Sequence, residues 1–237
     1  MTSFLPMLIW DLKVQLRHHI FTANVLSTAF ICGFVMLLPI SKESVELASF
    51  FIFADPALIG LSFVGAIVLM EKAMRVHLAL GVTPSPHWVY VLSKTIILTI
   101  AGTLSGLAVA VAAYGLSMNW FAMAGALILS NAVAVLLGFI FVAKSRSMNE
   151  LLLQLLYVSA VLFLPLLAHF DIVPDIVDYA LMPIPSTQML WLLDLAGNAK
   201  AHPAWKGWVA VAYLLAWIGF GFQWALKSYR LVLSEGR

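Results

Sequence analysis

Charge is what this chain has least of. Its 237 residues include only 13 Lys and Arg and 11 Asp and Glu, about 10% charged where soluble domains carry ~25%. With 63% hydrophobic residues and a mean hydropathy of +1.01, a soluble fold of this length could not hide its apolar surface. The apolar residues also come as unbroken runs and not as amphipathic stripes, which argues against an oily soluble bundle. Cysteine is nearly missing. The single Cys32 lies within an apolar run, can form no internal disulfide, and packs as a small hydrophobe. The first apolar stretch, Phe4–Trp10, has no basic region before it and no small-residue cleavage site after it, so no cleavable signal peptide is expected.

Signals for chemistry are equally sparse. There is no GxxxxGK[ST] phosphate loop, so P-loop ATP hydrolysis is not expected of this chain. The run Gly102-Thr103-Leu104-Ser105-Gly106 superficially suggests a serine protease, but no His and Asp partners at matching depth accompany Ser105. It reads better as a GxxxG face for close helix packing. His18 and His19 are adjacent and point ~100° apart on a helix, so they do not clamp one metal as an i, i+4 pair would. Neither catalytic, metal nor cofactor-binding residues are expected, and no nucleic acid among the partners.

What the chain does have is six segments long enough to cross a ~30 Å hydrocarbon core at ~1.5 Å per residue. They are approximately 20–40, 50–70, 95–116, 120–143, 151–168 and 208–226. Lys13, Arg17, Lys72, Arg75, Lys94, Lys144, Arg146, Lys227, Arg230 and Arg237 fall on one side of this layout, and only Lys42, Lys200 and Lys206 on the other. Basic residues mark the cytoplasmic side, so both termini are expected in the cytoplasm of a multi-pass inner-membrane protein. Trp88 and Trp224 fall at the inner boundary and Trp120, Trp205 and Trp208 at the outer, where indoles prefer to sit.

The connections refine this into one transmembrane domain, 1–237, with three special segments. Residues 1–19 read as an interfacial amphipathic helix, with Leu5, Leu8, Leu12, Leu16 and Ile20 on one face and Lys13 and Arg17 on another. Residues 171–206 are broken by Pro174, Pro183, Pro185 and Pro203 and read as short helices dipping into or resting on the outer face. Residues 71–87 open with charges, carry a short helical pattern and stop at Gly81 and Pro84-Ser85-Pro86. A short helix held between two spans would pass motion from a soluble partner into the membrane. Three polar residues stand out within the spans. Ser130 and Asn131 lie mid-span, either bonding between helices or lining a substrate route. Asp55-Pro56 reads as a helix start at the outer end of the second span, and Asp55 as a further candidate for the route. His169 and Asp171 read as an interfacial pair near the outer boundary.

Glu71 at the inner end of the second span, then Leu80, Val82, Thr83 and Pro84, then Lys94 at the start of the third, resemble the ABC-2 type permeases, including the drug-export-like branch. The six-span layout and broken outer segment are also similar. The resemblance implies an all-α polytopic membrane protein with the ABC-2, type V exporter-like fold. It implies a permease subunit exporting a hydrophobic or amphipathic substrate with ATP hydrolysed by a separate ATPase subunit. That subunit would dock on Glu71, Arg75, His77, Leu80, Val82, Thr83 and Pro84. A second permease copy, identical or related, would complete the pathway among membrane lipid. The importers' EAA loop lacks its Ile and Pro here, which favours an exporter. A membrane-embedded enzyme or a non-transporting membrane protein is the alternative.

Overall fold

A computed structural model describes residues 4–37, 42–55, 60–74, 86–116, 118–145, 147–198 and 203–234. The described elements are all helical: α1 (Phe4–Arg17), α2 (Ile20–Met36), α3 (Lys42–Asp55), α4 (Leu61–Ala73), α5 (His87–Tyr114), α6 (Trp120–Val142), α7 (Met148–Phe163), α8 (Pro165–His169), α9 (Asp175–Leu181), α10 (Pro185–Gly197) and α11 (Ala204–Ser234). Local chemistry explains several ends. Asn119 caps α6 by accepting from the Ala122 amide, and Ser147 caps α7 by accepting from the Glu150 amide, each at 3.2 Å. Helix α5 stops at Gly115, whose φ of 67° suits glycine. Pro165 and Pro185 each occupy the first turn of a new helix.

Among the described residues, four stretches are long and apolar enough to cross a membrane: His87–Tyr114, Trp120–Val142, Met148–His169 and Trp205–Arg230. A fifth is counted if α1 and α2, bent by 63°, are taken as one span. The outward faces are as apolar as the core, with Val25, Leu26, Phe30, Leu152, Leu153, Leu156 and Trp208 all exposed. Lipid, as apolar as those side chains, is the solvent that suits them. The chain is a membrane protein.

Helix α6 is the hub, packed against α4, α5, α10 and α11. Small residues allow the close approaches. A methyl placed on Gly102 would lie 2.0 Å from Asn131 Oδ1, one on Gly106 2.6 Å from Leu127, and one on Gly138 2.2 Å from Val64. The GxxxG run of α5 is therefore a packing face, as its spacing predicts, and the Ser105 hydroxyl turns back to the carbonyls of Ala101 and Gly102.

One end of the bundle, the basic end, gathers Lys72, Lys94, Lys144 and Tyr229. At the opposite, far end, Ser49 of α3 bonds the Tyr114 hydroxyl at 2.7 Å, and Gly197 packs on the same ring. Two elements reach only part of the way across. Gly60, just before α4, packs on Ala134 in the middle of α6, while Lys72 near the other end of α4 meets the end of α6. Helix α4 thus covers the basic half, and α3, reaching Tyr114, covers the far half. Similarly, Pro183–Pro185 sit beside Leu137, Tyr157 and Trp217 in the interior stretches of α6, α7 and α11. From there the 13 residues of α10 rise about 20 Å to Tyr114.

The turn of the broken segment therefore sits level with the interior stretches of α6, α7 and α11. Carbonyls inside hydrocarbon need partners. Those of Leu181, Met182 and Pro183 accept from Thr187 Oγ1, Gln188 Nε2 and the Tyr213 hydroxyl.

Three expectations need correction. Asp55 does not start a helix at the outer boundary; it is the last residue of α3, six residues beyond the Ser49 that meets Tyr114. The reason is that the chain is already helical from Lys42, so Asp55 falls at the end of a helix and not at its start. Helix α5 begins at His87, so Lys94 lies two turns inside the helix and not at the start of the third span. Helix α1 buries Asp11 and Gln15, while Leu5, Ile9, Leu12 and Leu16 are exposed. It is amphipathic, but its polar stripe faces protein and its apolar stripe faces outward, because protein supplies the partner that lipid cannot.

Gly102→Ala is expected to lower the thermal midpoint of detergent-purified protein, by overpacking worth ~1–3 kcal/mol. Adding Asn131→Ala, which removes the clashing oxygen, should recover most of that loss in the same melting assay.

Candidate functional site

Lys94 is fully buried, its side chain 1% exposed. Helix α5 turns it between two carboxylates delivered by other helices: Nζ lies 2.7 Å from Asp11 Oδ1 of α1 and 2.7 Å from Glu71 Oε1 of α4. The outer oxygens are also used. Ser93 donates to Asp11 Oδ2, and the Tyr90 hydroxyl donates to Glu71 Oε2 at 2.5 Å. All four carboxylate oxygens thus have a hydrogen-bond partner. The ammonium also lies 4.6 Å from the Tyr90 ring centre and 5.9 Å from that of Trp10.

The cluster extends to the remaining helices of this end. Tyr90 stacks on Tyr229 of α11 with centroids 4.3 Å apart and planes 13° apart. Next to Glu71, Lys72 donates to the carbonyls of Val142, Ala143 and Ser145 at 3.1–3.2 Å. This places a cation on the C-terminal carbonyls of α6, where it complements the helix dipole. Ser145 in turn donates to Gln154 of α7. One polar knot therefore fastens α1, α4, α5 and α11, and its neighbour Lys72 fastens α4 to α6.

Glu71 is the sequence-predicted coupling residue that the structure places in this knot. The others, Arg75, His77, Leu80, Val82, Thr83 and Pro84, lie outside the described residues, in the stretch connecting Met74 to Pro86. Ser130 and Asn131 are fully buried in α6. The Asn131 amide donates to Leu127 of its own helix at 2.9 Å, while its oxygen packs on Gly102. Sequence reasoning missed Asp11 and the burial of Lys94. The available signal was Asp11, the one acid of α1, with Gln15 one turn on, the mark of a polar stripe that needs a protein partner.

At the far half lie two further polar features. His169 Nδ1 of α8 sits 3.3 Å from Asp194 Oδ2 of α10, both buried, so this histidine has a partner on α10. Beside the turn at Pro183–Pro185, a groove of about 410 Å³ opens between α6, α7 and α11, lined by Leu137, Phe141, Tyr157, Val161, Ile184 and Trp217. Its size falls in the range of small-molecule sites.

A family profile described as the fluoroquinolones export permease protein family matches residues 2–233. Two fluoroquinolones export permease proteins, from two strains of Mycobacterium tuberculosis, are each 27% identical over 214 residues, which is 90% of this chain and 89% of theirs.

Lys94→Met should strand two buried carboxylates and cost ~3–5 kcal/mol, read as a large drop in thermal midpoint. Replacing Asp11, Glu71 and Lys94 together by apolar residues of similar volume should restore most of it. Equal losses in both variants would contradict the pairing.

Proposed function

The chain belongs to the fluoroquinolones export permease protein family, and from that premise we propose that it is the membrane-spanning subunit of an ATP-driven exporter whose ATPase is a separate polypeptide. The observation that carries the reading is the buried knot at Glu71. It lies two residues from the end of α4, where the 71–87 segment begins, and joins that point to α1, α5 and α11. A push on this segment by a docked ATPase would be delivered to four helices at once. Docking would use Glu71, Arg75, His77, Leu80, Val82, Thr83 and Pro84.

The spans in this reading are α2, α3 with α4 as two halves, α5, α6, α7 with α8, and α11. That makes six, in the ABC-2, type V exporter-like layout. The basic end faces the cytoplasm of a cell whose inner membrane holds the protein, both termini on that side, as the bias of Lys and Arg supports. Two permease copies, identical or related, flank a shared route to which Ser130, Asn131 and Asp55 contribute polar positions. The substrate is an amphipathic, largely apolar molecule, and the relatives' names point to fluoroquinolones. The groove beside Trp217, open between membrane helices, suits a planar aromatic body arriving from lipid.

Affinity purification from native membranes in mild detergent should bring down a Walker-motif ATPase; its absence would overturn the reading. Replacing Thr83-Pro84 by Ala-Ala is expected to cut ATP-driven efflux of a fluoroquinolone at least tenfold with membrane levels unchanged. Trp217→Ala is expected to cost about tenfold in apparent substrate affinity, ~1.4 kcal/mol of aromatic contact.

A further inference from the structure

Lys94 has two carboxylates where one would neutralise it. A buried ammonium with one partner is electroneutral, and removing the last partner is what leaves an uncompensated charge. The second carboxylate can therefore depart without stranding the lysine. Of the two, Asp11 is on the less firmly held helix. Glu71 is kept in place by Tyr90 and by the grip of the adjacent Lys72 on the end of α6. Among the described elements, the substantial packing of helix α1 is confined to α5 and α2.

The rest of α1 is built for leaving. Its buried polar face holds Asp11 and Gln15, and both side-chain polar atoms of Gln15 are buried without a hydrogen-bond partner among the described residues. Such groups cost free energy where they stand and gain it on reaching water. The opposite stripe of Leu5, Ile9, Leu12 and Leu16 is exposed to the surroundings already, so the apolar burial that movement would cost is confined to half-buried residues such as Met7. A hinge lies at its end: His18 and His19 separate α1 from α2 at a 63° bend, and His19 holds a left-handed φ of 58°.

We propose that α1 is a releasable strap, latched to the bundle by Asp11 on Lys94 and Ser93, hinged at His18-His19, and displaced during the transport cycle while Lys94 and Glu71 stay paired. Asp11 is a positioning residue in this device. The use of the strap in a cycle rests on the exporter reading; the latch itself does not.

The test separates the two. In a Cys32→Ala background, Gln15→Cys places a reporter thiol on the latched face of α1, and Ser130→Cys places a control thiol in the fully buried centre of α6. Labelling by a charged thiol reagent is followed for the chain alone in lipid nanodiscs, and then for the complex with its ATPase, with and without ATP. For the chain alone, Asp11→Asn should raise labelling of the α1 reporter at least tenfold, and the milder Ser93→Ala severalfold, with the α6 control protected throughout. Unchanged labelling of the reporter in both variants, or equal exposure of the control, would overturn the latch. In the complex, ATP should raise labelling of the reporter severalfold with Asp11 intact. A complex that hydrolyses ATP while the reporter stays protected would overturn the strap's part in the cycle. A chain that binds no ATPase would overturn the exporter reading and with it that part of the proposal, leaving the nanodisc result to judge the latch.

Discussion

An ammonium group taken out of water needs opposite charge at hydrogen-bond distance and acceptors for its N–H groups. Lys94 meets that demand by drawing Asp11 and Glu71 from separate helices. Much of the basic end follows. Helix α1 must turn its polar stripe inward, Glu71 must sit at the end of α4, and Tyr90 must point its hydroxyl at Glu71, which leaves its ring to stack on Tyr229. In hydrocarbon, apolar packing gives little preference for one helix arrangement over another. A few polar contacts that tolerate no substitute partner then decide which helices meet.

The far half solves a different problem by the same rule. The chain turns between α9 and α10 level with the interior of α6, α7 and α11. There every carbonyl of Leu181–Pro183 is met by a side chain from Thr187, Gln188 or Tyr213. The turn leaves an aromatic groove beside it. The fold thus holds short helices and a groove at one level and a charge knot at the other.

Hydropathy made the long helices legible, and small residues at i, i+4 made the α5–α6 contact legible, since Gly102 and Gly106 have no other reason to share a face. The prolines of 171–206 foretold a broken helical segment. Less was readable where the governing contact lies far along the chain. Lys94 looks like one more interfacial cation until Asp11, 83 positions earlier, is known to reach it. The leucines of α1 looked like an outward face, and Leu5, Leu12 and Leu16 are exposed, but nothing local says that protein covers the other side. Asp55-Pro56 carries the signal of a helix start, overridden by helix already formed upstream. The residues expected to couple, Arg75, His77, Leu80, Val82, Thr83 and Pro84, lie outside the described residues, and among those expected Glu71 is the one with a described place in the site.

The central claim is that Asp11 and Lys94 are energetically joined, and a double-mutant cycle measures that join directly. Asp11→Asn, Lys94→Gln and the double variant would be compared by unfolding of the detergent-purified chain. A coupling energy of ~1–3 kcal/mol, the double variant losing far less than the two singles together, is the predicted result. Additive losses within ~0.5 kcal/mol would contradict it.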